Sequence, residues 1–300
     1  MKATTGKGKV KANLAKAIKR DPLTAVFYYN RGGSYYDMGN CEKALADYNR
    51  AIELNPDLAY ALINRGLVYQ ERGDYDLAIA DYTSAIKLDP EYELAYKNRG
   101  YTYILKGDYE KAVADYTMAM GLEPESHGTY NDRGTAYDYK GEYDKAITDF
   151  TRAIELDPEH TDAYINRGST YRKKGDYNGA LADYAKVIEL NPGYAAVYYN
   201  RGLAYYHSQD PVKAIADLTM ALKLDPKIGA ACYNRGLSHV LKGNHDRAII
   251  DFTRSIKLDP KDADGYYNRG LCYQQKCEHE KAEADFSKAK ELGLKLIPQN

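Results

Sequence analysis

The sequence has no tryptophan and only four phenylalanines, yet it contains 32 tyrosines among its 300 residues. An excess of one bulky residue type indicates a structural position that is copied many times. The sequence also lacks an apolar run of the roughly 18–20 residues that a membrane-spanning helix needs. Residues 1–20 have no apolar segment typical of a secretory signal. We therefore expect a repetitive protein of the cytoplasm with no membrane span.

Acidic residues are missing from the first 20 residues of the chain, whereas seven of these residues are basic. The rest of the chain carries 35 basic and 43 acidic residues. A net-acidic body lacks the phosphate-neutralising surface of nucleic-acid-binding proteins, so we expect no nucleic-acid partner. The cysteines form no spaced framework and are expected to be free thiols in a reducing compartment: Cys41, Cys232, Cys272 and Cys277.

Motifs that carry catalytic or metal chemistry are also missing. The chain has no glycine-rich phosphate loop and no His-Glu-x-x-His sequence. Cys272 and Cys277 lack the two-residue spacing of a zinc knuckle. We therefore predict that the protein is not an enzyme and needs no metal or cofactor.

What the sequence has instead is an uninterrupted period of 34 residues, visible in three residue types. The glycines of the period are Gly32, Gly66, Gly100, Gly134, Gly168, Gly202, Gly236 and Gly270. The prolines are Pro22, Pro56, Pro90, Pro124, Pro158, Pro192, Pro226 and Pro260. The alanines are Ala44, Ala78, Ala112, Ala146, Ala180, Ala214, Ala248 and Ala282. Three residue types in one phase over eight copies establish a tandem repeat.

Each repeat is predicted to form two helices. With Ala25 as position 1, positions 4, 8 and 11 are bulky, small and bulky, which is one face of a helix. A glycine at position 15 in six copies is typical of a helix C-terminus, and Asp or Asn at position 16 can cap the next helix. Repeat six has Gln209-Asp210-Pro211 there, and proline is well tolerated at the start of a helix. Positions 20, 24 and 27 are alanine, an aromatic residue and mostly alanine, with Leu218 as the exception at position 24, and they lie on one face of the second helix.

These residues closely resemble the tetratricopeptide repeat, with an aromatic at position 4, glycine at 8, tyrosine at 11, alanine at 20, an aromatic at 24, alanine at 27 and proline at 32. The resemblance implies an all-α, right-handed superhelical solenoid of antiparallel helix pairs, whose concave groove is lined mainly by the first helices. Residues 11–22 match a second helix, so we expect residues 1–24 to be a basic tail with a half-repeat cap, and residues 297–300 a short C-terminal tail. The eight repeats are predicted at 25–58, 59–92, 93–126, 127–160, 161–194, 195–228, 229–262 and 263–296.

Position 6 is an amide in seven of the eight repeats, and Asp132 replaces it in the fourth. An amide has one acceptor and two donors, which suits the N–H and C=O groups of an extended peptide. The row resembles the asparagine ladder in the repeat domain of the protein O-linked sugar transferase, although local capping of the backbone is the alternative. The candidate peptide-binding amides are Asn30, Asn64, Asn98, Asn166, Asn200, Asn234 and Asn268.

Positions 5 and 9 of repeats six to eight supply apolar and aromatic side chains to the expected groove. Exposed apolar patches usually mark interaction sites, and tyrosine is a favoured anchor residue. Burial between neighbouring repeats is the alternative for each. The candidate anchors are Tyr199, Leu203, Tyr233, Leu237, Tyr267 and Leu271.

Two further positions are invariant and opposite in charge. Position 7 is arginine in every repeat, where the family usually has an apolar residue, and position 23 is aspartate in every repeat. Both flank core positions, and the guanidinium fork matches a carboxylate, so we predict eight bidentate ion pairs with a structural role.

The predicted function is therefore a non-catalytic scaffold that holds an extended segment of a partner protein in its groove. A chaperone-type carboxylate clamp is absent, because position 5 is lysine only at Lys97, which is followed by Tyr101 at position 9. The alternative is a self-assembling array, a homo-oligomer joined through the groove or through an uncapped last repeat. An RNA-binding helical repeat fits poorly, since those arrays repeat every 35 residues and are usually basic.

Overall fold

A computed structural model describes residues 22–294, which form sixteen α-helices in the described part of the chain. They are α1 (Pro22–Asp37), α2 (Cys41–Leu54), α3 (Ala59–Glu71), α4 (Tyr75–Leu88), α5 (Glu93–Lys106), α6 (Tyr109–Leu122), α7 (His127–Tyr139), α8 (Tyr143–Leu156), α9 (Thr161–Lys174), α10 (Tyr177–Leu190), α11 (Ala195–His207), α12 (Pro211–Leu224), α13 (Gly229–Leu241), α14 (His245–Leu258), α15 (Ala263–Gln275) and α16 (His279–Glu291). The predicted half-repeat at residues 11–22 lies outside the described residues apart from Pro22, where α1 begins. Residues 297–300 also lie outside them.

In each of two compact units the helices form pairs, and the pairs stack on one another. The first unit ends at Leu156 and contains α1 to α8, and the second begins at Asp157 and contains α9 to α16. Within a unit, the two helices of each repeat pack against each other, and the second helix packs against the first helix of the next repeat. The predicted all-α solenoid is thus confirmed. None of the described helices is long and apolar enough to cross a membrane.

Glycine at position 8 lets the two helices of a repeat approach closely. The aromatic or leucine at position 24 lies directly over this glycine and is almost fully buried in seven of the eight repeats. A Cβ atom added to Gly66 would lie 2.7 Å from the Tyr82 ring, and one added to Gly134 would lie 2.8 Å from Phe150. No real Cβ contact is this short, so a larger residue would force the helices or the ring apart.

The first helix of each repeat ends as the glycines at position 15 predict. All six have a positive φ, between 73° and 82°. Gln209 and Cys277 occupy the same position in repeats six and eight and adopt φ values of 62° and 60°. Without glycine this left-handed conformation is strained by roughly 1 kcal/mol. The fold therefore imposes the turn even where the residue disfavours it.

Capping of the second helices follows the prediction in only part of the array. The side chains of Asn40, Asp176 and Asp210 accept from the backbone N–H three residues further on, at 3.0–3.2 Å. The prediction is wrong for Asp74, Asp108 and Asn244, which make no such cap. Asp74 and Asp108 instead pair with neighbouring cations, Arg72 at 3.3 Å and Lys111 at 2.9 Å. An ion pair does not by itself prevent capping, because Asp210 pairs with Lys213 at 3.0 Å and still caps its helix.

All eight predicted arginine–aspartate pairs are present and bidentate. In each, Nε and Nη2 of the arginine donate to the two carboxylate oxygens of the aspartate sixteen residues later, at 2.5–2.9 Å. The aspartates are buried. The hydrogen bonds to Asp115 raise the pKa of Arg99 above its ordinary value, so this arginine stays charged.

The arginines also join neighbouring repeats. Nη1 of Arg99 donates to the Thr83 hydroxyl of the preceding repeat at 2.9 Å, and Nη1 of Arg65 donates to Asn49 at 2.6 Å. Arg133, Arg235 and Arg269 make the same bond to a threonine, at 3.0–3.2 Å. Each of these five guanidinium groups therefore binds the aspartate of its own repeat with one edge and a side chain of the previous repeat with Nη1.

Candidate functional site

The asparagines at position 6, here called the asparagine row, all lie on the first helix of their repeats. Asn30 is exposed on α1, and the other six are half-buried. Arginine at position 7 forms the ion pair with aspartate, and glycine at position 8 lies at the contact between the two helices. The asparagine at position 6 takes part in neither interaction. The row is thus partly accessible while its two sequence neighbours serve the fold.

In three repeats the asparagine binds a tyrosine hydroxyl of the repeat before it. Nδ2 of Asn64 donates to Tyr29 at 3.2 Å, Nδ2 of Asn234 donates to Tyr199 at 3.3 Å, and Nδ2 of Asn268 donates to Tyr233 at 2.9 Å. The three tyrosines all occupy position 5. Tyr199 and Tyr233 are among the predicted anchors, but the helical pattern of a single repeat does not predict this contact. Its signal is a spacing of 35 residues between a position-5 tyrosine and the next asparagine of the row.

The orientation of two of these amides is decided by a second bond. Nδ2 of Asn234 also donates to the Ala230 carbonyl at 2.8 Å, and Nδ2 of Asn268 donates to the Asp264 carbonyl at 2.9 Å. A backbone carbonyl only accepts hydrogen bonds, so Nδ2 and not Oδ1 must face it. Both amide hydrogens are then used inside the protein. Among the described residues Oδ1 of Asn234 and of Asn268 accepts no hydrogen bond, and each remains an acceptor.

The tyrosine partners keep a hydrogen to donate. Burial raises the pKa of Tyr199 above its ordinary value, and burial raises the pKa of Tyr233 to about 12. Both phenols are therefore protonated at neutral pH, and each accepts from asparagine while its own O–H hydrogen has no acceptor among the described residues. One asparagine–tyrosine pair thus presents an acceptor and a donor side by side.

Three family models of the same repeat match the chain. The model described as tetratricopeptide repeat matches residues 59–92, 94–126, 128–160, 195–228 and 263–292. A second model, described as TPR repeat, matches 32–73, 168–209 and 236–276, and a third tetratricopeptide model matches 150–182. The chain belongs to the tetratricopeptide repeat family. A search among curated proteins gave no match.

Solved structures show the same tetratricopeptide fold. MamA is 30% identical, with 53% of this chain and 93% of MamA covered at a TM-score of 0.51. YrrB, described as a TPR protein with an unusual peptide-binding site, is 28% identical over 61% of this chain and 95% of its own, also at 0.51. A tetratricopeptide repeat protein from Parabacteroides merdae is 20% identical, with 83% of this chain and 99% of that one covered at 0.65, which indicates the fold alone.

The predicted anchors of this tetratricopeptide array are half-buried, so they are neither fully exposed in the groove nor fully buried between neighbouring repeats. Tyr233 and Leu237 pack on a core of Ala248, Phe252 and Cys272, and Tyr199 packs on the core around Leu218. The Tyr267 ring lies 5.6 Å from that of Phe286. Leu203 and Leu271 are half-buried as well. One side of each anchor therefore belongs to the repeat stack, and only the remaining side is available to a partner.

Asp132 interrupts the row in repeat four. Its half-buried carboxylate has a pKa above the ordinary aspartate value because burial disfavours the charge, while Lys97 and Asn131 act in the opposite direction. A carboxylate has no hydrogen to give to a tyrosine or to a carbonyl when it is ionised. The side chain at position 6 is therefore a carboxylic acid in repeat four, where the other seven repeats have an amide.

Proposed function

We propose that this tetratricopeptide array is a non-catalytic scaffold that binds an extended segment of a partner protein along its first helices. The observation that supports this most is the asparagine–tyrosine pair of repeats six to eight. Oδ1 of Asn234 or Asn268 would accept a backbone N–H of the segment, and the hydroxyl of Tyr199 or Tyr233 would donate to a backbone C=O. An extended chain presents this pair of groups at every residue, so the contact is independent of the partner's side chains.

The apolar residues beside the row would then select the partner. Tyr199, Tyr233 and Tyr267 are already held on one side by the core, so little conformational freedom is lost when a partner covers the other side. Leu203, Leu237 and Leu271 extend the same surface at position 9 of each repeat. Apolar side chains of the segment would contact this surface, which agrees with the description of YrrB as a peptide-binding TPR protein.

A displayed library of random twelve-residue peptides would test the proposal. Selected peptides would be titrated by calorimetry against the wild type and against an Asn234→Ala/Asn268→Ala variant. Each hydrogen bond contributes about 1 kcal/mol, so the variant should bind at least about tenfold more weakly. Asn178→Ala removes an exposed amide of α10 outside the row and is the matched control. Equal affinity for all three proteins would exclude the asparagine row as the binding site.

Backbone recognition has its own signature. N-methylation of the peptide removes N–H donors without changing any side chain. Methylating the residue opposite the row should weaken binding to the wild type and have little further effect on the alanine variant. If methylation weakens binding to both proteins alike, the amides of the row do not accept from the peptide backbone.

A further inference from the structure

A repeated ion pair joins the first helix of one repeat to the second helix of the repeat before it. The cation is at position 14 and the carboxylate is at position 18 of the preceding repeat, 30 residues earlier. Arg72 pairs with Glu42 at 2.7 Å, Lys106 with Asp76 at 2.6 Å and Lys140 with Glu110 at 2.5 Å. Lys276 pairs with Asp246 in the same way. A position-14 cation of this protein is therefore a site for a carboxylate.

In repeat seven the cation is present but the carboxylate is missing. Lys242 is at position 14, and the residue 30 positions earlier is Val212. Among residues 22–294 Lys242 has no ion-pair partner. Val212 has 58% of its surface exposed where the other repeats have an acid. No side chain of the protein therefore supplies the carboxylate that Lys242 would bind according to the repeat pattern, within the described part of the chain.

Two more departures from the repeat pattern occur at the same place. In five repeats a lysine at position 19 lies over the tyrosine ring at position 11, with Nζ 5.2–5.4 Å from the ring centre. Repeat seven has His239 and Arg247 at these positions. The imidazole is smaller than a phenol and leaves room beside it. Within the described residues Arg247 has neither a ring nor a carboxylate as partner.

The three departures together open a cleft between α12, α13 and α14. A volume of about 520 Å³ is lined by residues that include Val212, Ile215, Thr219, His239, Lys242 and Arg247. A second volume of about 460 Å³ shares Ile215, Thr219, His239 and Arg247 and reaches Arg235, Ile250 and Asp251. One wall is therefore apolar, and the opposite wall carries Lys242 and Arg247.

The charges of the cleft leave a net positive field. Asp251 is the one acidic residue among those that line the two volumes. Its carboxylate accepts hydrogen bonds from Nη2 and Nε of Arg235 at 2.5 and 2.8 Å. Burial lowers the pKa of His239; nearby Asp251 opposes this, and Arg235, Arg247 and Lys242 lower it further. Lys242 and Arg247, which have no ion-pair partner among the described residues, therefore favour an anionic ligand.

We propose that this cleft binds the carboxylate of an acidic residue on a partner peptide, with an adjacent apolar residue of the peptide against Val212 and Ile215. Lys242 and Arg247 hold the carboxylate in the place where other repeats supply Glu or Asp from their own chain. The site is separate from the asparagine row and does not depend on the function proposed for it.

The test uses a fluorescein-labelled, end-blocked peptide of alternating leucine and glutamate, followed by fluorescence polarisation. Its backbone nitrogens are methylated, so that the asparagine row has no N–H group to accept from. Val212→Glu restores the carboxylate that the repeat pattern expects, so this variant should fill the site from within and abolish binding of the probe. Lys242→Gln removes one charged donor and should weaken binding about tenfold. Lys106→Gln is the matched control, because Lys106 already has Asp76, and should leave the affinity unchanged.

Three further measurements decide between the alternatives. A glutamine version of the probe should not bind, and a phosphoserine version that binds more tightly than glutamate would overturn the assignment to a carboxylate. An Asn234→Ala/Asn268→Ala variant should bind the probe like the wild type, so failure of this site and failure of the row are distinguishable. The methyl NMR signals of Val212 and Ile215 should shift when the probe is added. Unchanged signals, or equal affinity of wild type and Val212→Glu, would contradict the proposal.

Discussion

The row of arginines and the row of asparagines are neighbours in sequence, yet they have opposite roles in the structure. Arginine at position 7 uses its guanidinium within the fold in all eight repeats, with two hydrogen bonds to aspartate in each. Asparagine at position 6 keeps an acceptor oxygen in Asn234 and Asn268. Both rows repeat with the same period. Repetition alone therefore does not distinguish a residue that serves the fold from one that can bind a partner. The distinction comes from whether its hydrogen-bond donors and acceptors are already used within the protein.

Removing one arginine should have the largest effect on stability. Arg99→Met leaves Asp115 buried without its partner, and the free energy of unfolding should fall by about 3 kcal/mol. Asn98→Ala, one residue earlier, should change it by no more than about 0.5 kcal/mol. Urea denaturation of both variants measures the difference between the rows.

A double variant separates the two possible causes of that loss. Arg99→Met/Asp115→Leu removes both charges, so no unpaired carboxylate stays buried, and most of the lost stability should return. If the single variant unfolds at the same urea concentration as the wild type, the arginine row does not have the structural role inferred for it.

The arginine–aspartate pairs were the part of the fold most accessible from the sequence, and the reason is physical. Two oppositely charged residues that recur sixteen positions apart in every repeat, beside core positions, have few other ways to be satisfied. Their geometry is local to one helix pair. The capping of the second helices was less predictable, because Asp108 and Asp210 both pair with a lysine three residues later and only Asp210 caps its helix.

The candidate sites were less predictable because they depend on contacts between repeats. The hydroxyl of Tyr199 meets Asn234 across a repeat boundary, and a helical pattern within one repeat does not give that distance. The cleft of repeat seven results from what is missing at Val212 and His239, which are 27 residues apart in sequence. In the sequence each substitution resembles ordinary variation between repeats. The packing of α12 against α13 places Val212 and His239 in the lining of the same cleft.

Glycine at position 8 follows the two rows directly, and its replacement extends the comparison to the helix contact. Gly66→Ala places a methyl group 2.7 Å from the buried ring of Tyr82, whereas in Gly100→Ala the nearest ring atom is 3.2 Å away. Overpacking costs about 1–3 kcal/mol, and alanine returns up to about 1 kcal/mol of helix propensity. Gly66→Ala should therefore lower stability by about 1–2 kcal/mol, and Gly100→Ala should be close to neutral. Equal melting temperatures for the two variants would show that the ring moves aside at little cost.

The smallest effect is expected where the asparagine row itself changes, at Asp132. Burial raises its pKa above the ordinary value, so the folded state holds its proton more tightly than the unfolded state does. The stability that this aspartate contributes is then fully present below its unfolded pKa and is lost as the pH rises through the folded value. Asp132→Asn, which restores the residue of the other seven repeats, should melt at a higher temperature than the wild type at pH 7. The advantage should shrink as the pH falls towards the ordinary pKa of aspartate. Calorimetric scans of both proteins from neutral to acidic pH measure the difference, and an advantage that grows on acidification would mean that Lys97 and Asn131 stabilise the charge more than burial opposes it.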